Sequence, residues 1–284
     1  MTPEKRFCLI GHHLQGSLSP ALMEAAYHGR YAYDLVDEDC FEMAFALAME
    51  YDAFNVTAPF KEKAFSMAYG HDRNSMGANA CNIMMPIHVF GEKLYMSYNS
   101  DVDGVAAALL ESGVPYRAGD DSSALVVGTG GAAAAAHVAL VKYLDRFTAI
   151  AGRNMEKAQL LSSFFVPDLD GTDTRPGISY TGLDPITLDR SFLRHIDIVV
   201  YTLPGSAPVP DGLPLEEAVV LEAEYRHPRL ADAPCRQYVS GKLWLLHQAI
   251  SGFKIMTGEQ PDESSMRDVL GLPPAERKFR LPVI

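Results

Sequence analysis

The chain has 284 residues, 48% of them hydrophobic, and a formal net charge of −12, which suits one large or two smaller packed domains and excludes a basic nucleic-acid binder that neutralises phosphates with clustered Lys and Arg. No apolar run approaches the roughly 20 residues of a membrane span, and the short apolar run near the N-terminus does not make a signal peptide. Cys8, Cys40, Cys81 and Cys235 are scattered, with no C-x-x-C and no His–Cys spacing suited to zinc, so they read as reduced thiols of a cytoplasmic protein without a structural metal.

Strand and helix signals alternate from the start. Phe7–Ile10 reads as a strand, Pro20–His28 as a helix, Tyr31–Val36 as a strand, Phe41–Met49 as a helix and Ala53–Thr57 as a strand. A helix follows from Phe60 to about Tyr69. This βαβ rhythm predicts an α/β fold with a mainly parallel sheet covered by helices. Ile83–Phe90 and Leu94–Asn99 flank Gly91-Glu92-Lys93 and predict a hairpin. Val102–Ser112 reads as a helix, and the polar stretch Gly113–Ser123 marks the passage to a second unit.

In that second unit a strand, Ala124–Val127, runs into GTGGAAAAAHVALVKYL, a glycine loop opening a long helix. Thr148–Ala151, Ile196–Thr202 and Val219–Leu221 are further strands. Residues 203–214, LPGSAPVPDGLP, form an irregular loop. Gly241 precedes a helix, Leu243–Thr257, in which Leu243, Leu246, Ile250 and Phe253 recur at helical spacing and Gly258 ends the run.

VVGTGGAA fits G-x-G-x-x-G/A, with Gly128, Gly130 and Ala133 in the three places. The pattern follows a strand and opens a helix, as a dinucleotide site requires. Gly128 permits the tight turn, Gly130 a close backbone approach to pyrophosphate, and Ala133 close helix–strand packing. Gly131 and Ala132 supply amides at the helix N-terminus, where anions are held. A glycine turn before an alanine-rich helix is the plainer alternative. The next strand ends in Gly152-Arg153-Asn154, with Lys157 following, where an NAD site expects Asp or Glu. A guanidinium suits a 2′-phosphate, so Arg153, Asn154 and Lys157 favour NADP. A solvated basic helix start would look the same.

In the first unit, polar residues sit where strands end, the side on which open α/β sheets bind ligands. They are Ser17 and Ser19, Thr57 and Lys61, Asn82, and Asn99 with Asp101. Lys61 falls in the first turn of a helix, the wrong end for a cation. Plainer readings stand beside each: Ser19 as an N-cap ahead of Pro20, Asp101 as a cap for the helix from Val102, Asn82 as a turn residue, Lys61 and Lys63 as solvated lysines.

Together these motifs resemble the shikimate dehydrogenase family. Its S-x-S-P motif appears as Ser17-Leu18-Ser19-Pro20, and N-V-T-x-P-x-K as Asn55 to Lys61. A-x-N-T appears as Ala80 to Ile83, N-T-D-x-x-G as Asn99 to Gly104, and the glutamine helix as Leu246-His247-Gln248-Ala249. The resemblance covers about residues 7–258. It implies a substrate domain of residues 1–104 and 241–284, a Rossmann NADP domain of residues 105–240, and an active site in the cleft between them. It implies Lys61 and Asp101 as catalytic pair and Ser17 and Ser19 on the substrate carboxylate. Thr57, Asn82, Gln248 and Tyr225 would meet ring hydroxyls, and Gly241 would lie with the cofactor residues. The implied activity is NADP-dependent, reversible reduction of 3-dehydroshikimate to shikimate by a cytoplasmic monomer or homodimer. Three departures occur: Gly16 replaces the family's histidine, Tyr201-Thr202-Leu203-Pro204 its N-A-T-P, and Leu243 the second glycine of G-x-G. A quinate/shikimate dehydrogenase using NAD and a non-catalytic ligand sensor remain alternatives.

Overall fold

A computed structural model describes residues 4–115, 123–144, 146–162, 179–181, 196–275 and 279. The chain divides into two compact units, one built from residues up to Ser100 with Leu246–Pro274, the other from Asp101–Leu245. Residues 116–122 of the polar stretch read as the passage between units lie outside the described residues.

The first unit carries β1 (Arg6–Gly11), α1 (Ser19–Tyr27), β2 (Ala32–Asp37), α2 (Phe41–Ala48), β3 (Ala53–Val56), α3 (Lys61–Met67), β4 (Gly70–His71), α4 (Arg73–Ala78), β5 (Ile83–Val89) and β6 (Glu92–Tyr98). Its six-stranded sheet has the order β2-β1-β3-β5-β6-β4. β1, β2 and β3 are parallel, so Gly11, Asp37 and Val56 end at the same edge of the sheet. β5 runs antiparallel to β3 over Phe54↔Met84 and Asn55↔Ile83. Pro86 lies past that pairing, where β5 is bonded to β6 alone, and a strand proline is tolerated there. The hairpin turn is Phe90–Gly91, one position ahead of the Gly91–Lys93 expected from sequence. Both residues have positive φ (51° and 87°), as primed two-residue turns require.

The core on one face of this sheet is made by alternate residues of β1 and β3, Cys8, Ile10, Phe54 and Val56, packed on Phe41 and Ala44 of α2 and on Phe60 and Ala64. The Phe41 and Phe60 rings meet edge to face, centroids 5.6 Å apart. This contact seats the start of α3 on the core and thereby fixes where Lys61 emerges.

The second unit begins within α5 (Ser100–Glu111). It continues through β7 (Ser123–Val127), α6 (Gly131–Leu144), β8 (Phe147–Ala151), α7 (Met155–Ser162), β9 (Ser179–Thr181), β10 (Ile196–Tyr201), β11 (Val219–Glu222) and β12 (Gln237–Val239), into α8 (Gly241–Thr257). Its sheet order is β12-β11-β10-β7-β8-β9, every neighbour parallel. Read from β9, this is the doubly wound order 3-2-1-4-5-6, with the switch point between β7 and β10. Leu125, Val127, Val199 and Tyr201 line the central strands' apolar core.

The end of α8 and α9 (Glu263–Leu270) return to the first unit. Tyr27 Oη lies 2.8 Å from Thr257 Oγ1, Tyr31 Oη donates to Glu259 at 3.0 Å, and Arg30 pairs with the same carboxylate. Among the described residues, no helix is long and apolar enough to cross a membrane.

Candidate functional site

The site in the first unit starts at β3. Asn55 is a polar residue in an otherwise apolar, buried strand, AFNV. Its Nδ2 donates to the Asn82 carbonyl at 3.1 Å, and its Oδ1 accepts from the Tyr33 hydroxyl at 2.7 Å. Thr57 follows, its N–H donating to the Ile10 carbonyl at 3.0 Å. A Cβ on Gly11 would fall 2.5 Å from Thr57 Cγ2, so glycine there lets the ends of β1 and β3 approach.

Lys61 is the first residue of α3, ahead of which Phe60 makes no side-chain cap. The Lys61 carbonyl accepts from the Cys81 N–H at 3.1 Å, so its backbone is tied to the residue preceding Asn82. Lys63, by contrast, is exposed and pairs with Glu42 on the surface. The two lysines of FKEK therefore differ in setting, and the plain solvated reading applies to Lys63. Cys81 is buried, and burial pushes its thiol up to about 12, which keeps it inert beside the site.

Asn82 is the hub. The Ser100 N–H donates to its Oδ1 at 2.9 Å, while its Nδ2 donates to Ser100 Oγ at 3.0 Å and to Gln248 Oε1 at 3.3 Å. A backbone N–H can only donate, so the Asn82 oxygen must face Ser100 and its NH2 must face Gln248. The Gln248 oxygen is thereby engaged, and its NH2 is the end left to meet a ligand. Asn99 is buried beside this hub and donates from Nδ2 to the Ala80 carbonyl at 2.9 Å. The turn-residue reading of Asn82 does not fit so many buried partners.

The capping reading of Ser19 is corrected by the structure. α1 begins at Ser19 itself, Leu18 occupies the N-cap, and no side-chain cap bond is made. The Ser19 N–H instead meets Ser17 Oγ at 3.3 Å, and Ser17 Oγ lies 3.3 Å from Ser19 Oγ. Both hydroxyls gather at a loop-to-helix turn. Asp101 is likewise not the residue ahead of its helix. α5 begins at Ser100, so Asp101 is buried in the first turn, covalently next to the residue that anchors Asn82.

In the second unit, Gly128 has φ +125°, and a Cβ there would fall 2.2 Å from Thr202 Oγ1. Only glycine serves at this turn. A Cβ on Gly130 would meet nothing within 4 Å, so the loop presents open backbone, as a pyrophosphate cradle needs. Gly131 and Ala132 start α6, and Ala133 is buried against the sheet. Arg153, Asn154 and Lys157 are exposed past the carboxyl end of β8. Asn154 Oδ1 accepts from the Lys157 N–H at 3.0 Å, which gives Asn154 a capping task at α7. A Cβ on Gly152 would fall 2.4 Å from Thr129 Cγ2, so this glycine lets Arg153 leave the strand close to the loop. The residues present fit a dinucleotide carrying a 2′-phosphate.

Gly241 has a packing reason of its own, since a Cβ would fall 2.5 Å from the carbonyl oxygens of both Glu222 and Ala223. Sequence reading passed over Glu222. It is buried, accepting from the Arg229 N–H at 2.7 Å, the Leu230 N–H at 3.0 Å and the Tyr238 hydroxyl at 3.0 Å. It fixes the loop after β11, on which Tyr225 lies. Burial raises the Tyr225 hydroxyl, with Arg226 opposing. A carboxylate as the last residue of an apolar strand, VVLE, is the signal that marks Glu222.

No family model matches the chain. A shikimate dehydrogenase (NADP(+)) of Rhodopseudomonas palustris strain HaA2 is 32% identical over 268 residues, spanning 89% of this chain and 90% of that protein. The chain belongs to the shikimate dehydrogenase family. A crystal structure of a shikimate dehydrogenase in complex with NADP+ matches with a TM-score of 0.73 at 26% identity, over 94% of both chains. The quinate dehydrogenase of Corynebacterium glutamicum, in complex with NAD, matches with a TM-score of 0.73 at 22% identity, over 93% of this chain and 98% of that one. At that identity the likeness is of fold alone, so family and fold leave the substrate of a shikimate dehydrogenase relative to be argued from its own residues.

Proposed function

We propose that this chain catalyses the NADP-dependent, reversible reduction of 3-dehydroshikimate to shikimate. The observation that carries the reading is the Asn82 hub, which gathers Gln248 and the start of the Asp101 helix around one buried carboxamide, in a family member that keeps Lys61. Ser17 and Ser19 bind the substrate carboxylate with hydroxyl donors at a helix start, which suits an anion on a chain of net charge −12. Gln248 offers a ring oxygen its NH2, and Thr57 and Asn82 complete the polar lining. Tyr225 takes its substrate role from the family pattern.

When bound, NADPH supplies the hydride. As negative charge grows on the ring ketone oxygen, Lys61 Nζ donates a proton to it, and in the reverse direction takes the proton from the hydroxyl. Asp101 is its acid–base partner. Gly128 to Ala132 bind the pyrophosphate with backbone amides, and Arg153 with Lys157 takes the 2′-phosphate. The reading of a cytoplasmic protein is supported by Cys8, Cys40, Cys81 and Cys235, which are all free thiols.

The test is a spectrophotometric assay of shikimate and quinate, each with NADP and with NAD. Turnover of shikimate with NADP, well above the other three pairings, is the expected result. Preferred turnover of quinate, or no turnover of either acid, overturns the assignment.

A further inference from the structure

The switch point of the second sheet lies between β7 and β10, so the loops that follow these two strands flank the crevice in which such a fold takes its ligand. Arg153 stands past β8, on the β7 side of that crevice. With the adenosine end there and the pyrophosphate on the loop after β7, the other half of the dinucleotide lies on the β10 side, against the loop from Thr202 to Ala207. That loop is tied to β7 at its root. The Thr202 N–H and hydroxyl both donate to the Val127 carbonyl, at 2.9 and 2.8 Å. Its far end is a turn, closed by the Ala207 N–H donating to the Pro204 carbonyl at 2.8 Å.

Arg229 reaches this turn from the loop after β11. Its Nη1 donates to the Gly205 carbonyl at 2.7 Å and to the Ala207 carbonyl at 3.4 Å. Its own backbone N–H is bound by Glu222 Oε1 at 2.7 Å, while Glu222 Oε2 accepts from the Leu230 N–H and the Tyr238 hydroxyl, both at 3.0 Å. A backbone N–H can only donate, so both Glu222 oxygens must accept. A carboxamide of the same size cannot do this, because its NH2 would face one of the N–H groups.

We infer that Glu222 and Arg229 are positioning residues that hold the loop after β10 in place for the nicotinamide half of the cofactor. This rests on the NADP reading above. Glu222 fixes the backbone from which the Arg229 side chain springs, and Arg229 fixes two carbonyls of the turn. Without the pair, Thr202 still anchors the root of the loop while the Pro204–Ala207 turn is released. The loss therefore falls on one half of the cofactor.

The test measures dissociation constants of NADP and of adenosine 2′,5′-bisphosphate for the wild type, Arg229→Ala and Glu222→Gln. The bisphosphate carries the adenosine end and its 2′-phosphate without the nicotinamide half. Arg229 is exposed, so its loss leaves the sheet intact. The expected result is NADP weakened about 3- to 10-fold in both variants, the size of a lost hydrogen bond or two at an exposed site. Bisphosphate binding should stay within about 2-fold of wild type. The two substitutions change the local charge in opposite directions, so long-range attraction to the phosphates would weaken one variant and tighten the other. Unchanged NADP binding in Arg229→Ala overturns the inference. So does an equal loss for both ligands, which would mark general damage to the sheet, or NADP binding in Glu222→Gln as tight as wild type or tighter. Should Glu222→Gln not fold, the Arg229→Ala measurement is repeated in about 0.5 M salt, where charges more than a few ångströms apart are screened. A deficit that disappears there overturns the inference, and one that persists supports it. A wild type that binds NADP but not the bisphosphate overturns the reading of the 2′-phosphate by Arg153, and with it the placement of the nicotinamide half.

Discussion

The Ser100 N–H donates to Asn82 Oδ1 at 2.9 Å, joining the loop before β5 to the first turn of α5 across 18 residues. Removing the carboxamide leaves that buried N–H without its partner. Asn82→Ala is expected to lose about 1–3 kcal/mol of stability, the cost of an unsatisfied buried donor. Gln248 loses its orienting donor at the same time, so KM for shikimate should rise. Urea unfolding checks the first effect, and a change within about 0.5 kcal/mol, the usual size for surface sites, would contradict it.

Lys61→Ala is expected to reduce turnover by about 10²–10⁴ while the protein folds and binds NADP as before, since a positioned acid–base is worth that much. Lys63→Ala should stay within about 2-fold of wild type, because Lys63 is exposed and meets Glu42 and the Phe41 ring rather than the polar residues around Asn82. Steady-state rates on the two proteins decide it. Equal effects would show that the helix start, rather than the Lys61 ammonium, matters. Asp101→Asn should act like Lys61→Ala, and the pair should be non-additive.

Arg153→Ala should weaken NADP by about 10- to 100-fold and NAD by much less, the loss of a charge-assisted bond to one phosphate. Dissociation constants for both dinucleotides measure it. The same loss for both would mean that Arg153 does not read the 2′-phosphate.

Acid should loosen the second unit through His137. This residue is buried in α6 with Nδ1 2.7 Å from Thr148 Oγ1, and burial pushes its imidazole from the ordinary 6.5 down to about 4. Between those values the unfolded chain takes up a proton that the folded one refuses. The contribution is therefore fully present above about pH 6.5 and falls as pH drops towards 4, by about 3 kcal/mol in all. His137→Leu should show a shallower acid slope in urea unfolding between pH 7 and 4. Parallel curves for the two proteins would rule the histidine out.

Much of this architecture is legible in the chain itself because its signals are local. The glycine loop after β7 reveals itself by spacing, and Arg153 by standing where an acid is expected. Lys61 declares itself by contradicting the dipole rule. What escapes is what depends on distant pairing. Gln248 meets Asn82 across 166 residues, and Tyr33 meets Asn55 only because β2 and β3 flank β1 in register. β4 has two residues and β12 three, too few to show a period. The helix starts at Ser19 and Ser100 were placed late by one and two residues because a serine or aspartate near a boundary reads as a cap, although here the chain turns helical at the serine itself.

The return of α8 to the first unit carries a consequence for how the protein is made. Gln248 lies 148 residues after Ser100, to which it bonds, and the whole second sheet is encoded between them. A nascent chain leaving the ribosome can therefore complete its inner, doubly wound sheet before the outer unit has received its last helices. The outer unit's polar floor is finished only by residues translated near the end. A stop codon shortly before Leu246 would release a polypeptide with an intact dinucleotide-binding sheet and an N-terminal unit whose α1, denied Thr257 and α9, and whose Tyr33, denied Phe253, stay open to proteases.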